Sequence, residues 1–428
     1  MNTTPLVLFV LFSFCALTCK KNPVGPPSDL SFALTVNDVS CTEAWLTLHV
    51  GSGFATHTAK LTRDTVVVAN IKLIGTDTTI GDTGLSPSHT YTYMLSLPGA
   101  TSATTKATTM DTTSHALTWT MYTLGDGSGS SSLFDVAIIS DTLAYAVGEI
   151  FNGGTAYNFA KWDGQVWSTT QILYPYQGQQ YFAQLLSIFI FSENDLWVGS
   201  NQPMHWNGTS WQTFDLSASI WNGWIYKIWG SSSSNLYIVG GGGSIAHFNG
   251  TSWTQITSGT SISFCDIWGA NNPQTNQTEI LAIASDYPTT LDMKIVKITG
   301  TTVAPVDGTG LSGAISGVWF VPNRCYYIVG AGIGQKHSLQ DSSPWSVYPS
   351  GVVTSYYSTS VHGNDINDIF VVGADGDLQH YNGATWKSYR DQTYLANGSF
   401  GCVAVNGNLV IAVGSNSPNA AVAIGHRE

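Results

Sequence analysis

Two aspartates occupy the same place in two copies of a sequence repeat, and a carboxylate pair can perform acid–base chemistry. Asp135 stands in the segment FDVAI, and Asp266 stands in the segment CDIWG. Hydrolysis of a glycosidic bond by the common route needs two carboxyl groups that face each other across a cleft. Asp135 and Asp266 are therefore weak candidates for a catalytic pair. The alternative is that these acids cap turns or face solvent.

Other catalytic and metal-binding patterns are missing from the sequence. His205, His247 and His380 occupy one repeat position, which favours a structural role over a shared metal site. The segment at 375–377 (DGD) lacks the further acidic ligands of a calcium loop. The motifs GxSxG, HExxH and the P-loop are also absent. The sequence thus predicts no metal ion and no cofactor, and an enzyme is the less favoured class.

Two stretches carry more aromatic residues than the repeat needs. The first reads YPYQGQQY over 174–181, and the second reads WNGWIY over 221–226. Aromatic rings beside Gln and Asn suit stacking on sugar rings or capture of a partner peptide. Packing of these rings in the interior is the alternative. The predicted ligand-binding residues are Tyr174, Tyr176, Tyr181, Trp221, Trp224 and Tyr226.

A repeat over the second part of the chain positions all of these candidates. Each copy contains a β-rich run that ends in a small residue. These end positions are Gly148, Gly199, Gly240, Gly330, Gly373 and Gly414, with a degenerate copy around Ala284. The mean period of about 44 residues fits a four-stranded blade of a β-propeller. Seven copies predict seven blades, with six or eight as the alternatives.

A tight turn and a tryptophan complete most copies. Asn-Gly and Asp-Gly pairs such as Asn207-Gly208 predict type I′ hairpins, in which both central residues have positive φ. A tryptophan such as Trp211 then opens the last strand. The final copy supplies only three strands, whereas Trp119 begins a matching segment before the first copy. We therefore expect the strand at Trp119 to complete the last blade, which removes an open sheet edge.

The first residues resemble an export signal followed by an anchor. The apolar run at 6–14 is shorter than the roughly 20 residues that span a bilayer, and it fits the core of a signal peptide. Cys19 follows the segment ALT and resembles the lipidated cysteine of bacterial lipoproteins. The sequence predicts a signal peptide at 1–18, and a lipidated Cys19 with a tether at 19–28. Ordinary secretion is the alternative.

Residues 29–110 contain short strand-like segments that predict a small β-sandwich. The segment LSPSHTY at 85–91 resembles the corner motif LxPxTxY of fibronectin type III modules. This resemblance implies that Tyr91 is the corner tyrosine, that Trp45 is a core tryptophan, and that the module is a spacer or binder. A linker at 111–114 leads to the propeller.

Charge is scarce throughout the chain. Only 10% of the 428 residues are charged, the net charge is −12, and 15 residues are basic. A nucleic-acid-binding protein would carry a basic patch, so the sequence predicts no nucleic-acid partner. After the linker the arginines are Arg324, Arg390 and Arg427 alone, which argues against the arginine cluster with which sialidases hold a carboxylate.

The propeller, predicted at 115–428, resembles known families. Its turns, as in the segment NGTSW, resemble a shortened Asp-box of BNR and sialidase-type propellers. The whole arrangement is similar to Bacteroidetes-type propeller lipoproteins that are sometimes labelled glucosyl hydrolases, although a fold does not imply a function.

The sequence therefore predicts an all-β, monomeric and non-catalytic lipoprotein on the outer membrane or cell surface of a bacterium. Its propeller binds a glycan or protein partner, and it contacts the membrane only through its lipid anchor. One alternative is a secreted glycoside hydrolase or lyase with a carboxylate pair near the propeller channel. Another is a purely structural role in envelope or secretion machinery.

Overall fold

A computed structural model describes residues 29–97, 102–176, 179–272 and 275–428. The predicted signal peptide, Cys19 and the tether lie outside the described residues. In those ranges no helix is long and apolar enough to cross a membrane. The chain divides into two compact units. One takes residues up to Asn37, Trp45–Asp82 and Tyr91–Ala107, and the other takes Asp38–Ala44, Thr83–Thr90 and Thr108–Glu428.

The first seven strands form two sheets, with the strand orders β1-β2-β5 and β4-β3-β6-β7. They are β1 (Phe32–Val39), β2 (Glu43–Val50), β3 (Thr58–Arg63), β4 (Val66–Lys72), β5 (Thr78–Thr83), β6 (Thr90–Ser96) and β7 (Ser102–Thr108), with a 3-10 turn at Ser52–Phe54. A polar cluster lies in this unit. The guanidinium of Arg63 donates to Asp82 at 2.8 Å, and the hydroxyl of Tyr93 donates to the same carboxylate at 2.7 Å.

The second unit contains seven four-stranded antiparallel sheets and one hairpin. Its first strand is β8 (Leu117–Leu124). Sheet 1 contains β9 (Ser132–Ser140), β10 (Leu143–Asn152), β11 (Thr155–Trp162) and β12 (Trp167–Thr170). The hairpin contains β13 (Leu173–Tyr176) and β14 (Gln179–Phe182). Sheet 2 contains β15 (Ser187–Ser192), β16 (Asp195–Gly199), β17 (Pro203–Trp206) and β18 (Trp211–Thr213). Sheet 3 contains β19 (Ile225–Ser232), β20 (Asn235–Gly240), β21 (Ile245–Phe248) and β22 (Trp253–Ile256), with a 3-10 turn at Gly241–Gly243.

Sheets 4 to 7 follow in chain order. Sheet 4 contains β23 (Phe264–Asn271), β24 (Thr278–Ser285), β25 (Met293–Thr299) and β26 (Thr302–Pro305). Sheet 5 contains β27 (Ile315–Val321), β28 (Cys325–Gly330), β29 (Gly332–Lys336) and β30 (Ser346–Pro349). Sheet 6 contains β31 (Ser358–Asp365), β32 (Asp368–Gly373), β33 (Leu378–Tyr381) and β34 (Trp386–Ser388), after which comes α1 (Arg390–Thr393). Sheet 7 contains β35 (Gly398–Asn406), β36 (Leu409–Asn416), β37 (Asn419–Arg427) and β8.

The first strands of these seven sheets contact one another in circular order. Strand β9 contacts β15, each later first strand contacts the next, and β35 contacts β9 again. The second strands read as nearly continuous apolar runs because each lies between two other strands of its sheet and faces a neighbouring sheet on both sides. In β28, for example, every residue is buried. The core therefore lies between the sheets, around a central axis.

Close approach of another backbone segment requires a glycine at most of the repeated glycine positions of the second strands. A Cβ on Gly240 would overlap the backbone oxygen of Trp224, and a Cβ on Gly330 would overlap that of Ala314. Each of these oxygens lies in the segment that enters the first strand of the same sheet. The repeated glycine thus lets the second strand run directly past that segment.

Strand β8 is the fourth strand of the last sheet. It pairs antiparallel with β37 from Leu117–Arg427 to Leu124–Ala420. This is the pairing that the sequence predicts from the match at Trp119. The edge of β37 that would otherwise lack a neighbour is thereby covered.

The prediction of type I′ turns is wrong. Trp206 pairs with Trp211, so the loop between them has four residues rather than two. Gly208 has a φ of +86°, whereas Asn207 keeps a negative φ. The side-chain oxygen of Asn207 instead accepts the backbone N–H groups of Thr209 and Ser210 at 3.0 and 2.9 Å. In this turn the asparagine supplies a side-chain hydrogen-bond acceptor, and the glycine supplies the residue with positive φ.

Candidate functional site

The first strands surround a central cavity of about 220 Å³. One residue in each of these strands precedes a buried Val or Ile and occupies an equivalent register position. We call these seven residues the channel ring: Asp135, Ser187, Lys227, Asp266, Gly317, Ser360 and Cys402. Five of them, Asp135, Lys227, Asp266, Ser360 and Cys402, line the cavity. The repeat therefore brings together the two aspartates that the sequence singles out.

A β-bulge precedes the channel ring in six of the seven sheets, and only sheet 2 pairs without one at this point. In sheet 3 the bulged residue is Tyr226, and in sheet 4 it is Cys265. A bulge adds one residue to one strand and changes the direction of the following side chain. It thereby orients the ring residue locally.

Lys227 connects three sheets across the cavity. Its Nζ donates to Asp135 Oδ1 at 2.7 Å and lies 3.5 Å from Cys402 Sγ, and the Cys402 thiol donates to the same carboxylate oxygen at 3.0 Å. The side chain of Asp135 is 2% exposed, whereas that of Lys227 is 24% exposed. Sequence reasoning missed Lys227 because it compared only acidic residues at this repeat position. The segment YKIWG aligned with CDIWG carried the signal.

The electrostatics of the cavity disfavour nucleophilic chemistry. Burial opposes the charge on Lys227, but the Asp135 carboxylate outweighs it, so the pKa of the Lys227 ammonium is raised. Burial raises the pKa of the Cys402 thiol to about 12. At neutral pH the amine is protonated and the thiol is not ionised, so neither group is a nucleophile.

Both aspartates of the channel ring accept backbone hydrogen bonds from the next sheet. Asp135 Oδ2 accepts the N–H of Ile188 at 2.9 Å, and Asp266 Oδ2 accepts the N–H of Val318 at 2.9 Å. Burial raises the pKa of Asp266 to about 6, which is a suitable value for a general acid. Nevertheless Lys227 contacts Asp135 from within the cavity. This arrangement supports joining of the sheets rather than carboxylate-pair catalysis.

The third-strand histidines each have a partner within their own sheet. His205 Nε2 lies 2.8 Å from Asp195 Oδ1, and His380 Nε2 lies 2.9 Å from Asp368 Oδ1. His247 Nε2 lies 2.7 Å from the side-chain oxygen of Asn235. Each ring also stacks on an aromatic residue of the second strand, with centroid distances of 4.4 Å to Trp197, Tyr237 and Phe370. These contacts explain the histidines as structural groups.

Metal and disulfide chemistry find no support in the described part of the chain. No group of three or more His, Cys, Asp or Glu side chains there could hold a metal ion. The four cysteines from Cys41 onwards, which are Cys41, Cys265, Cys325 and Cys402, are unpaired.

Exposed aromatic residues are concentrated at one end of the seven sheets. Because consecutive strands run antiparallel, the connection between the second and third strands and the exit to the next sheet lie at the same end. Seven aromatic side chains that the structure describes in the second unit are exposed, and six of them lie there. We call them the aromatic face: Tyr181, Trp224, Tyr226, Tyr287, Tyr356 and Tyr394. The seventh, Tyr348, lies within β30.

Three of the predicted ligand-binding residues belong to the aromatic face. Tyr181, Trp224 and Tyr226 are 41%, 37% and 38% exposed. Tyr174 is half-buried and pairs across the hairpin with Tyr181, with ring centroids 5.8 Å apart. Tyr176 is the last residue of β13, and its side chain lies outside the described part.

Trp221 does not belong to this surface. It is 3% exposed, and its indole N–H donates to the backbone oxygen of Gly223 at 2.9 Å. The ring packs in the core beside Gly240, where the missing side chain makes room for it. The prediction that Trp221 presents its ring to a ligand is therefore corrected, because the strand that follows covers it.

Comparison with solved structures shows the fold of the second unit. A structure described as YCF48 bound to D1 peptide matches with a TM-score of 0.54 and 14% identity, covering 72% of this chain and 95% of that chain. The WD40 β-propeller domain of Doa1 matches with a TM-score of 0.52 and 14% identity, covering 72% and 97%. This chain contains a β-propeller. YCF48 from Cyanidioschyzon merolae gives a TM-score of 0.50 at 14% identity, covering 72% and 98%.

No family model matches the sequence, and no curated protein matches it either. The likeness therefore rests on backbone geometry, at an identity too low to carry residue roles. The all-β class and the propeller that the sequence predicts are confirmed at this level.

Proposed function

We propose that the chain is a non-catalytic binding protein, in which the seven sheets are the blades of a β-propeller and the aromatic face binds a segment of a partner protein. The observation that carries this proposal is that six of the seven exposed aromatic side chains described in the second unit lie at one end of the sheets. Exposed apolar groups that gather on one surface are typical of interaction sites.

Aliphatic residues at the same end favour a protein over a glycan. Leu173, Leu291 and Val352 are 37%, 63% and 64% exposed, and they lie in the connections that carry the aromatic face. Aliphatic side chains bury the apolar side chains of a peptide, whereas a sugar presents mainly hydroxyl groups. One structure with a similar fold is described as bound to a peptide, which is consistent with this use of a propeller.

Selection of peptides on the intact protein tests this proposal. A random peptide display library is panned against immobilised full-length chain, and the selected peptides are synthesised and titrated. We expect peptides rich in apolar residues. Trp224→Ser and Tyr394→Ser should each weaken their binding by about tenfold or more, since buried aromatic contacts dominate interfaces.

Tyr348→Ser is the matched control, since it removes a ring outside the aromatic face that is exposed to the same extent as Trp224. Equal loss in all three variants, or no loss in any, would contradict the proposed surface. Binding to a glycan array without any selected peptide would assign the face to a carbohydrate instead.

We further propose that a lipidated Cys19 anchors the protein and that the fibronectin type III-like module acts as its spacer. The resemblance of the segment before Cys19 to a lipoprotein signal supports the anchor, and the segment at 85–91 supports the module. Metabolic labelling with palmitate tests the anchor. We expect label on the wild-type protein and none on Cys19→Ala, and equal labelling of both would exclude this site.

A further inference from the structure

Arg390 differs from the other arginines because its guanidinium has no hydrogen-bonded partner among the residues that the structure describes. The sequence contains four arginines. Three of them donate to carboxylates: Arg63 to Asp82, Arg324 to Asp38, and Arg427 to Asp368. Among the described residues, the guanidinium of Arg390 donates no hydrogen bond, and its buried Nε has no partner. Its nearest carboxylate oxygen, on Asp375, is 3.9 Å from the guanidinium.

Two tyrosines of the aromatic face flank this guanidinium. Its central carbon lies 5.2 Å from the ring centroid of Tyr356 and 5.0 Å from that of Tyr394. Both distances are within the range of cation–π attraction. The contacts favour a defined position for a side chain that is 33% exposed. The arginine is therefore positioned while its donors remain available.

The three connections of sheet 6 supply this cluster. Tyr356 lies in the segment entering β31, Asp375 lies in the β32–β33 connection, and Tyr394 follows α1 on the way to β35. All of these connections lie at the end of the sheets that carries the aromatic face. A positioned and partly exposed guanidinium thus lies within the surface to which we assign partner binding.

We propose that Arg390 binds a carboxylate of the partner segment, either an Asp or Glu side chain or a C-terminal carboxylate. This inference rests on the proposed function and specifies the chemistry of the partner. A planar guanidinium can donate two parallel hydrogen bonds to a carboxylate. A single negative charge also matches the site, because Asp375 already contributes one carboxylate nearby. Ligand binding would give the terminal N–H groups of this guanidinium the acceptors that they lack.

Paired peptides test the carboxylate. Each peptide selected on the full-length protein is synthesised in an acid form and in a form with every Asp or Glu replaced by Asn or Gln and the C-terminus amidated. The acid form should bind wild type about tenfold more tightly, which is the lower range for a hydrogen bond to a charged group. Arg390→Gln should remove this difference, and Arg390→Lys should keep part of it.

The outcomes separate the two proposals. Peptides that bind wild type equally in both forms would overturn the role of Arg390 and leave the aromatic face intact. Failure to select any peptide would overturn both. Binding of polygalacturonate that is lost in Arg390→Gln would keep the carboxylate site but overturn its assignment to a protein.

A chemical measurement tests the available donors without a partner or a variant. Phenylglyoxal modification of the folded protein, followed by mass spectrometry, should label Arg390 faster than Arg324 and Arg427, whose guanidinium groups contact carboxylates. Addition of an acid-form peptide should slow the labelling of Arg390 alone. Equal rates at the three arginines would contradict the proposal.

Discussion

Two positions of the repeat, the third-strand position of the histidines and the channel ring, differ in the contacts that their side chains make. The third-strand position pairs with the start of the second strand through similar chemistry in several sheets, as in Asp195–His205, Asn235–His247 and Glu279–Lys297. The channel ring instead carries Asp, Ser, Lys, Gly and Cys in different sheets. A position that repeats its chemistry forms a side-chain pair within each sheet, to which the next sheet can add a contact, as Arg427 does to Asp368. A position whose chemistry changes from sheet to sheet joins different sheets around one cavity.

Loss of Lys227 should have the largest effect. Lys227→Met leaves the carboxylate of Asp135 buried without its cation, which typically costs about 3–5 kcal/mol of the free energy of unfolding. Urea denaturation of the purified protein measures the loss. The double variant Asp135→Asn/Lys227→Met should recover part of it, because position 135 then carries no charge that needs a cation. A loss below about 1 kcal/mol would show that solvent in the cavity compensates the charge.

Removal of a third-strand partner should cost less, and the cost should depend on burial. Asp368 contacts both His380 and Arg427 and is 3% exposed, whereas Asp195 is 32% exposed. Asp368→Ala should therefore lower the free energy of unfolding by about 2–3 kcal/mol, against about 1 kcal/mol for Asp195→Ala. Parallel denaturation curves test this order. Equal losses would mean that burial does not distinguish the two positions.

Protonation of Asp266 should make the free energy of unfolding depend on pH. Its folded-state pKa of about 6 lies above the ordinary value of 3.8, so the folded state holds the proton more strongly than the unfolded state. This contribution to stability is present below the ordinary pKa and is lost as the pH rises through about 6. Asp266→Asn should lack this loss, which is on the order of 2 kcal/mol. The free energy of unfolding is measured between about pH 4 and 7 for the wild-type protein and for Asp266→Asn. If it changes with pH by the same amount in the two proteins, Asp266 is not the group responsible.

His247→Gln should have the smallest effect. The residue lies in sheet 3, as Lys227 does, but its hydrogen bond to Asn235 and its stacking on Tyr237 stay within that sheet. Glutamine retains a side-chain donor, so we expect a loss of about 0.5–1 kcal/mol. Thermal unfolding compares it directly with Lys227→Met. A larger loss for His247→Gln would reverse the distinction between the two repeat positions.

The sequence predicts the repeat because every copy meets the same backbone constraints. The glycines at the ends of the second strands, the asparagines in the turns and the match at Trp119 all follow from local geometry. The equivalence of Asp135 and Asp266 was visible for the same reason. Lys227 occupies the same repeat position, but a lysine cannot be a member of a carboxylate pair, so that chemistry does not point to it.

The rest of the site depends on contacts between distant segments. Trp221 and Trp224 are three residues apart, yet one is buried and the other is exposed, because the chain between them turns at Gly223 with a φ of +117°. Arg390 meets Tyr356 only when sheet 6 has formed and brings the segment before its first strand next to the segment after its last. Neither outcome is encoded in residue type or spacing.

The pairing of β8 with β37 has a consequence for the order of assembly. During synthesis β8 emerges before every other strand of its sheet, and its partner β37 emerges after all the other strands of the seven sheets. Its final hydrogen bonds therefore have a very high contact order, which is associated with slow folding. Until β37 arrives, β8 presents unpaired backbone groups that could recruit other chains. Newly made protein is thus most prone to aggregate just before β37 is complete.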